Sequence, residues 1–275
     1  MKETFRRLAI KYRYSLILLR QLVITDFKLR YQGSVLGYVW SLLRPLFLFI
    51  ILYIVFNNFL RIGSTMPHYP VYLLLGIVLW NYFLEVTNLG ISSIVSKGDL
   101  IRKLNFPKYV IVLAGSFSAF INLLINFVVI AIFMAIGGVE LHWSSFLIIP
   151  LLAELFLLSL GVAFFLSALF VKLRDLNYIW EIFLQAAFYA TPILYPLSLV
   201  VEKSDFAAKL LLLSPVAQII QDARSVLVTT QTTTFESVFG SGGWYRLVPI
   251  SLTFIIVIVA AWYFRRQSPK FAEEV

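Results

Sequence analysis

Five residues of this sequence place acid, base or anion-binding groups where they are least expected. Arg44, Glu85, Glu154, Glu181 and Gln185 lie within or near long runs of Leu, Ile, Val and Phe. Ionisable groups in apolar segments are costly, usually turn inward, and mark functional sites by default. Arg44 is the clear cation of the set. A guanidinium there offers planar, charge-assisted hydrogen bonds suited to an anion. Its plainer fates are to snorkel to a membrane surface or to pair with Glu85 or Glu181. Other chemistries find no residues. The chain has no cysteine, which excludes disulfides and thiolate-ligated metals. Its two histidines, His68 and His142, fall in short connections and read as solvated. Neither a D-x-D nor an H-x-x-x-H pattern occurs, and the phosphate-cradling G-x-x-x-x-G-K-S/T loop is missing. We expect no enzyme activity, metal or cofactor in this chain.

These side chains must be positioned by membrane-crossing helices. Hydrophobic residues make up 60% of the 275, and charged residues only 13%. A soluble domain carries about 25% charged residues. Six segments reach the roughly 20 apolar residues that a helical crossing needs. They cover 34–60, 69–95, 109–137, 146–171, 178–195 and 247–264. The fold class expected is all-α integral membrane, one six-span domain over 31–275 after an interface segment at 1–30. Lys and Arg decide the orientation. Segments on the side of the termini hold 17 and those on the opposite side hold five. The bias puts both termini in the cytoplasm, and it accounts for the net charge of +9 without a nucleic-acid partner.

The cytoplasmic pieces have a pattern of their own. Phe5, Leu8, Ala9, Tyr12, Leu16, Leu19, Val23 and Phe27 recur at helical spacing, with Arg6, Arg7, Lys11 and Arg13 between them. Such an amphipathic helix lies in the interface facing anionic lipid headgroups or a protein. It is no cleavable signal peptide, because Arg20 interrupts its apolar run and no small-residue cleavage site follows. The loop 96–108 has room for one short helix between Gly98 and Pro107. On the opposite side, the connection 196–246 follows two breaks, Thr191-Pro192 and Tyr195-Pro196, and contains Ser214-Pro215. Beyond them, Ile219, Ile220, Ala223, Val226 and Leu227 share one helical face, with Gln221, Asp222 and Arg224 on the other. Short re-entrant helices fit this pattern, and such backbone is tolerated where it is buried in protein or lines a cavity. Gly33 and Gly37 form a G-x-x-x-G spacing, a hint of close helix packing in a dimer.

The stretch Phe27-Lys28-Leu29-Arg30-Tyr31 is followed by Leu36-Gly37, Trp40 and Pro45. Asn105-Phe106-Pro107, Arg174-Asp175, Thr191-Pro192-Ile193 and Pro269-Lys270-Phe271-Ala272-Glu273 come after them. In order and spacing this set of short motifs resembles the ABC-2-type permeases that export O-antigen, capsule and teichoic acid. The resemblance implies a bacterial cytoplasmic-membrane permease that dimerises and pairs with two cytoplasmic ABC ATPase subunits. Those partners would hold the ATP and Mg. It also implies a lipid-linked polysaccharide as cargo and undecaprenyl as its carrier. Asp99, Arg102 and Lys103, with Arg174 and Asp175, become candidates for ATPase coupling. Pro192, Pro196 and Pro215 become candidate gate residues. Aromatic rings can stack on sugar faces without trapping the chain, and a conduit must bind weakly at many places. Trp40, Tyr53, Phe56, Trp80, Tyr82, Phe83, Phe188 and Tyr189 are the candidates for the path. Arg44 would meet the carrier phosphate. An ABC-2 exporter of drugs or small lipids, a membrane-embedded glycan transferase and an ATP-independent channel are the alternatives.

Overall fold

The computed structural model describes residues 2–30, 32–61, 63, 66–240 and 247–274, with side chains from Arg13 onward. Tyr31, Arg246 and the side chains of Phe5, Arg6, Arg7, Leu8, Ala9, Lys11 and Tyr12 lie outside them. Among the described residues the chain is helical, with no strand. In order the helices are α1 (Lys2–Arg30), α2 (Trp40–Tyr53), α3 (Tyr69–Ser96), α4 (Gly98–Lys103), α5 (Tyr109–Ile136) and α6 (Ile148–Phe170). They continue as α7 (Leu176–Ala190), α8 (Ser198–Lys203), α9 (Asp205–Leu212), α10 (Pro215–Leu227), α11 (Phe235–Phe239), α12 (Leu247–Gln267) and α13 (Phe271–Glu274).

The protein is an all-α integral membrane protein. Five helical stretches are long and apolar enough to cross a bilayer: Gly37–Phe59, Tyr69–Ser96, Tyr109–Ile136, Trp143–Phe170 and Leu247–Glu274. They are not equivalent. In the most apolar window of the Tyr69–Ser96 stretch, 78% of residues are buried, against 17–39% in the other four. A helix apolar all round belongs at the centre, and α3 occupies it, packed against α5 and α6, with α12 on the far side of α6. The other helices keep apolar side chains on the outside, where lipid replaces water as solvent. α3 and α6 come close at Gly90. A Cβ there would sit 2.9 Å from Ala163 Cα and 3.3 Å from its carbonyl oxygen. Gly90→Ala is therefore expected to wedge the two helices apart, at about 1–3 kcal/mol for overpacking. A melting temperature several degrees lower in detergent is the check; an unchanged value would mean the helices do not meet this closely.

Two sequence expectations give way here. The fifth crossing, expected over 178–195, is helical only to Ala190, and α7 has 15 residues. At 1.5 Å per residue the helical part of this segment is about 22 Å, and the extended stretch from Thr191 completes its run to the far end. The helix stops because Pro192 excludes the helical region for the residue before it. Thr191 is extended, with ψ 137°, although its N–H still reaches Ala187 O at 2.8 Å. The pair α9 and α10, bent by 97°, has the length and composition of a broken crossing or of a re-entrant loop, the latter being the form expected between 196 and 246. The second correction concerns Gly33 and Gly37. Both have positive φ, +80° and +50°; Gly33 lies in the turn after α1 and Gly37 opens the first span. Their spacing serves a reversal of the chain, where glycine costs least, and it is not a helix-packing motif.

Candidate functional site

Call the end of the bundle carrying α4, α13 and the α6–α7 turn the basic end. At this end α1 runs alongside α5 and is stapled to the bundle at two places. Lys97 Nζ reaches Asp26 Oδ2 at 2.8 Å, tying α1 to the residue just before α4. Four residues further on, at the last residue of α1, Arg30 Nη1 pairs with Glu85 Oε1 of α3. The other carboxylate oxygen of Glu85 accepts a 2.8 Å bond from Asn122 Nδ2 of α5. Asn126 Nδ2 donates to the Asn122 carbonyl at 2.9 Å and lies 3.5 Å from Ser41 O of α2. One acidic side chain thus connects α1, α3 and α5, and the asparagines extend the link to α2. The Arg30 and Glu85 side chains are only 20% and 23% exposed. An intramembrane carboxylate needs such partners to be tolerated. Arg44 is not its partner: it is exposed. Glu181, on α7, is exposed as well.

Beside this staple lies a cleft of about 490 Å³ lined by Thr25, Lys28, Leu29, Gln32, Gly37 and Tyr38. Phe27 stacks on Tyr38 at 4.8 Å and holds the cleft between α1 and the first span. The coupling candidates Asp99, Arg102 and Lys103 project from α4, which is anchored by buried Gly98 and Ile101. Arg174 and Asp175 are exposed in the α6–α7 turn, beside a second cleft of about 420 Å³.

The aromatic candidates divide. Trp40 and Tyr189 are exposed, and Tyr53, Phe56 and Phe188 are half-buried. Trp80, Tyr82 and Phe83 are buried in the protomer core, with the Trp80 ring packed on Phe83 at 5.8 Å and on Phe188 at 6.0 Å. In this conformation those three present almost no surface to a path, because α3 is the central helix and all of its faces are covered.

The far end is organised by a residue that the sequence reading put on a polar face. Gln221 and Arg224 are fully buried, not solvent-facing. Arg224 Nη1 donates to Pro192 O and Nη2 to Ile193 O, each at 2.6 Å, while Nε donates to Tyr72 O at 2.9 Å. Its guanidinium also lies 3.7 Å over the Tyr72 ring. Gln221 Nε2 donates to Pro192 O at 3.2 Å, and its Oε1 accepts from the Tyr72 hydroxyl at 3.3 Å. The broken end of α7 leaves carbonyls with no helical donor, and α10 supplies those donors from across the fold. Gly76 makes this possible, since a Cβ at that position would fall on Arg224 Nη2. Pro192, Pro196 and Pro215 are all buried at these breaks. No local signal distinguishes a buried arginine from a solvated one. The available hint was the pair of a proline break needing donors and a glycine in an otherwise bulky helix.

An apolar bundle with one densely buried central span, basic helices at one end and a bent apolar hairpin at the other defines a multi-pass α-helical membrane protein. Residues 17–228 match the family described as ABC-2 type transporter, and the chain belongs to that family. It is similar to the O-antigen export system permease protein RfbA of Klebsiella pneumoniae, 28% identical over 271 residues, covering 97% of this chain and 99% of the relative. The protein of that name from Myxococcus xanthus is 26% identical over 266 residues, 94% of this chain and 95% of its own length.

Proposed function

We propose that this chain is the permease subunit of an ATP-driven exporter that moves lipid-linked polysaccharide of the O-antigen class across a bacterial cytoplasmic membrane. The observation that carries this reading is the end-to-end likeness to permeases named for O-antigen export. Two features of the fold support it. The connection from the first span to α3, Arg61 to His68, leaves no room for the large outer domain common in drug-exporting relatives. The chain also lacks a nucleotide-binding loop, so the energy must come from a partner. In this reading the basic end is cytoplasmic, both termini lie there, two ATPase subunits holding ATP and Mg dock under α4 and the α6–α7 turn, and two permease copies enclose the path. Docked motion reaches the bundle through the Asp26–Lys97 and Arg30–Glu85 pairs. The α9–α10 hairpin, with its proline breaks, forms the outer gate. Tyr189 and Trp40 supply exposed rings for sugar faces.

Co-expression with candidate nucleotide-binding subunits of the same organism tests the assignment. A stable complex whose ATP hydrolysis responds to a lipid-linked glycan is expected; failure of any ATPase to associate would remove the reading. Arg44 is assigned the carrier phosphate, since it is exposed and its charge is available to an anion. Arg44→Ala should raise several-fold the glycan-lipid concentration needed for half-maximal ATPase response. An unchanged response removes Arg44 from the site.

A further inference from the structure

The short helix α13 is held firmly against the bundle. Phe271 is 0% exposed. Its ring meets Phe264 of α12 edge-on at 5.3 Å, and Phe264 in turn meets Phe164 of α6 at 4.9 Å. α13, which begins at Phe271, lies against α4. An edge-to-face aromatic contact contributes about 0.5–1.5 kcal/mol beyond burial, and full burial of a phenylalanine contributes about 1.5–3 kcal/mol. These contacts pin α13, and the pin places Ala272, Glu273 and Glu274, all exposed, next to the helix that carries Asp99, Arg102 and Lys103.

We infer that α13 forms part of the docking surface for the ATPase subunit, with Phe271 as the positioning residue that sets it beside α4. This rests on the reading that an ATPase docks at α4. Alone, α4 offers one acid and two bases; with α13 the surface gains the acids Glu273 and Glu274 on its flank. The ATPase face that covers it must therefore present cations to α13 as well as acids to Arg102 and Lys103. Mixed-sign pairing of this kind fixes register and partner choice more than raw affinity. Phe271 also gives the docked partner a second route into the bundle, since motion of α4 and α13 is passed to α12 and α6 through Phe264 and Phe164.

The absence of cysteine in the sequence permits a direct test. Ala272→Cys and Arg102→Cys are made as single-cysteine permeases, labelled with a benzophenone maleimide and irradiated in the intact complex with the ATPase. Capture of the ATPase from both positions is expected. Capture from Arg102→Cys but not from Ala272→Cys overturns the inference and leaves the ATPase reading standing. Capture from neither position contradicts the ATPase reading itself. A second pair of variants separates docking from folding. Glu273→Lys with Glu274→Lys should weaken complex formation about tenfold without changing the melting temperature of the permease alone, and unchanged complex formation overturns the charged-contact role. Phe271→Ala should lower the cross-linking yield from Ala272→Cys at least threefold while Arg102→Cys still captures. Equal yield with and without the Phe271 ring would show that Phe271 does not position α13.

Discussion

Replacing Arg224 with methionine is expected to abolish export and lower the melting temperature of the permease by about 5–10 °C. Methionine keeps the length and apolar stem of the side chain but removes all three donors. The buried Ile193 carbonyl, held at 2.6 Å, would be stranded, and the Pro192 carbonyl would keep only the 3.2 Å bond from Gln221 Nε2. A stranded buried polar group costs about 1–3 kcal/mol. The loss is partly offset because methionine brings no charge out of water. The net effect is about 2–4 kcal/mol, and each kcal/mol corresponds to about 2–4 °C for a chain of this order of size. Arg224→Lys should recover less than half of the loss. An ammonium is a point charge and cannot reproduce the planar fork that spans two diverging carbonyls. Gly76→Ala should mimic the arginine variant, since the added methyl falls where the guanidinium sits. Wild-type stability and export in Arg224→Met would show that the hairpin is held by its apolar contacts alone.

The second large effect is expected at the end of α1. Glu85→Ala leaves Arg30 and Asn122 without their shared acceptor and frees the end of α1 from α3 and α5. Removing one partner of a buried ion pair costs about 3–5 kcal/mol. With about a fifth of each side chain exposed here, about 2–3 kcal/mol is the expected cost. Export should fall at least tenfold, and ATP hydrolysis by the complex should persist but no longer respond to glycan. Exchanging the charges, Arg30→Glu with Glu85→Arg, should restore more export than either single change permits. A double-mutant cycle across these four proteins gives the coupling directly. A coupling near zero would mean that the two residues act independently and that motion enters the bundle elsewhere, with Asp26–Lys97 the next contact to test.

The membrane character was legible because hydrocarbon imposes it: runs of about 20 apolar residues have few other uses. The short α4 was equally visible, set between Gly98 and Pro107. The misplacements of Arg224 and of the Glu85 partner share one physical origin. Polarity in a sequence reads as exposure, and that holds only where no distant group can satisfy the polar atoms. Arg224 is bearable in the interior because carbonyls at Tyr72, Pro192 and Ile193 converge on it from far along the chain. Sequence proximity within the spans points Glu85 to Arg44, whereas its partner, Arg30, belongs to the interface helix and meets it only once α1 folds along the bundle. The Thr191-Pro192 break ends α7 at Ala190, although the apolar run continues through Ile193 and Leu194 to Tyr195 and by composition alone extends the helix that far. Gly33 and Gly37 misled for the converse reason, because a spacing common in packed helices also serves a turn.

The central claim is vectorial movement of a glycan lipid driven by a separate ATPase, and reconstitution tests it most directly. The permease–ATPase complex is placed in liposomes containing a lipid-linked glycan, and the fraction of glycan open to a membrane-impermeant glycosidase on the side opposite the ATPase is followed over time. Our account predicts that this fraction rises with ATP and stays flat both without nucleotide and when the permease is omitted. Glycan that appears at the same rate without ATP, or never crosses although ATP is hydrolysed, would contradict it.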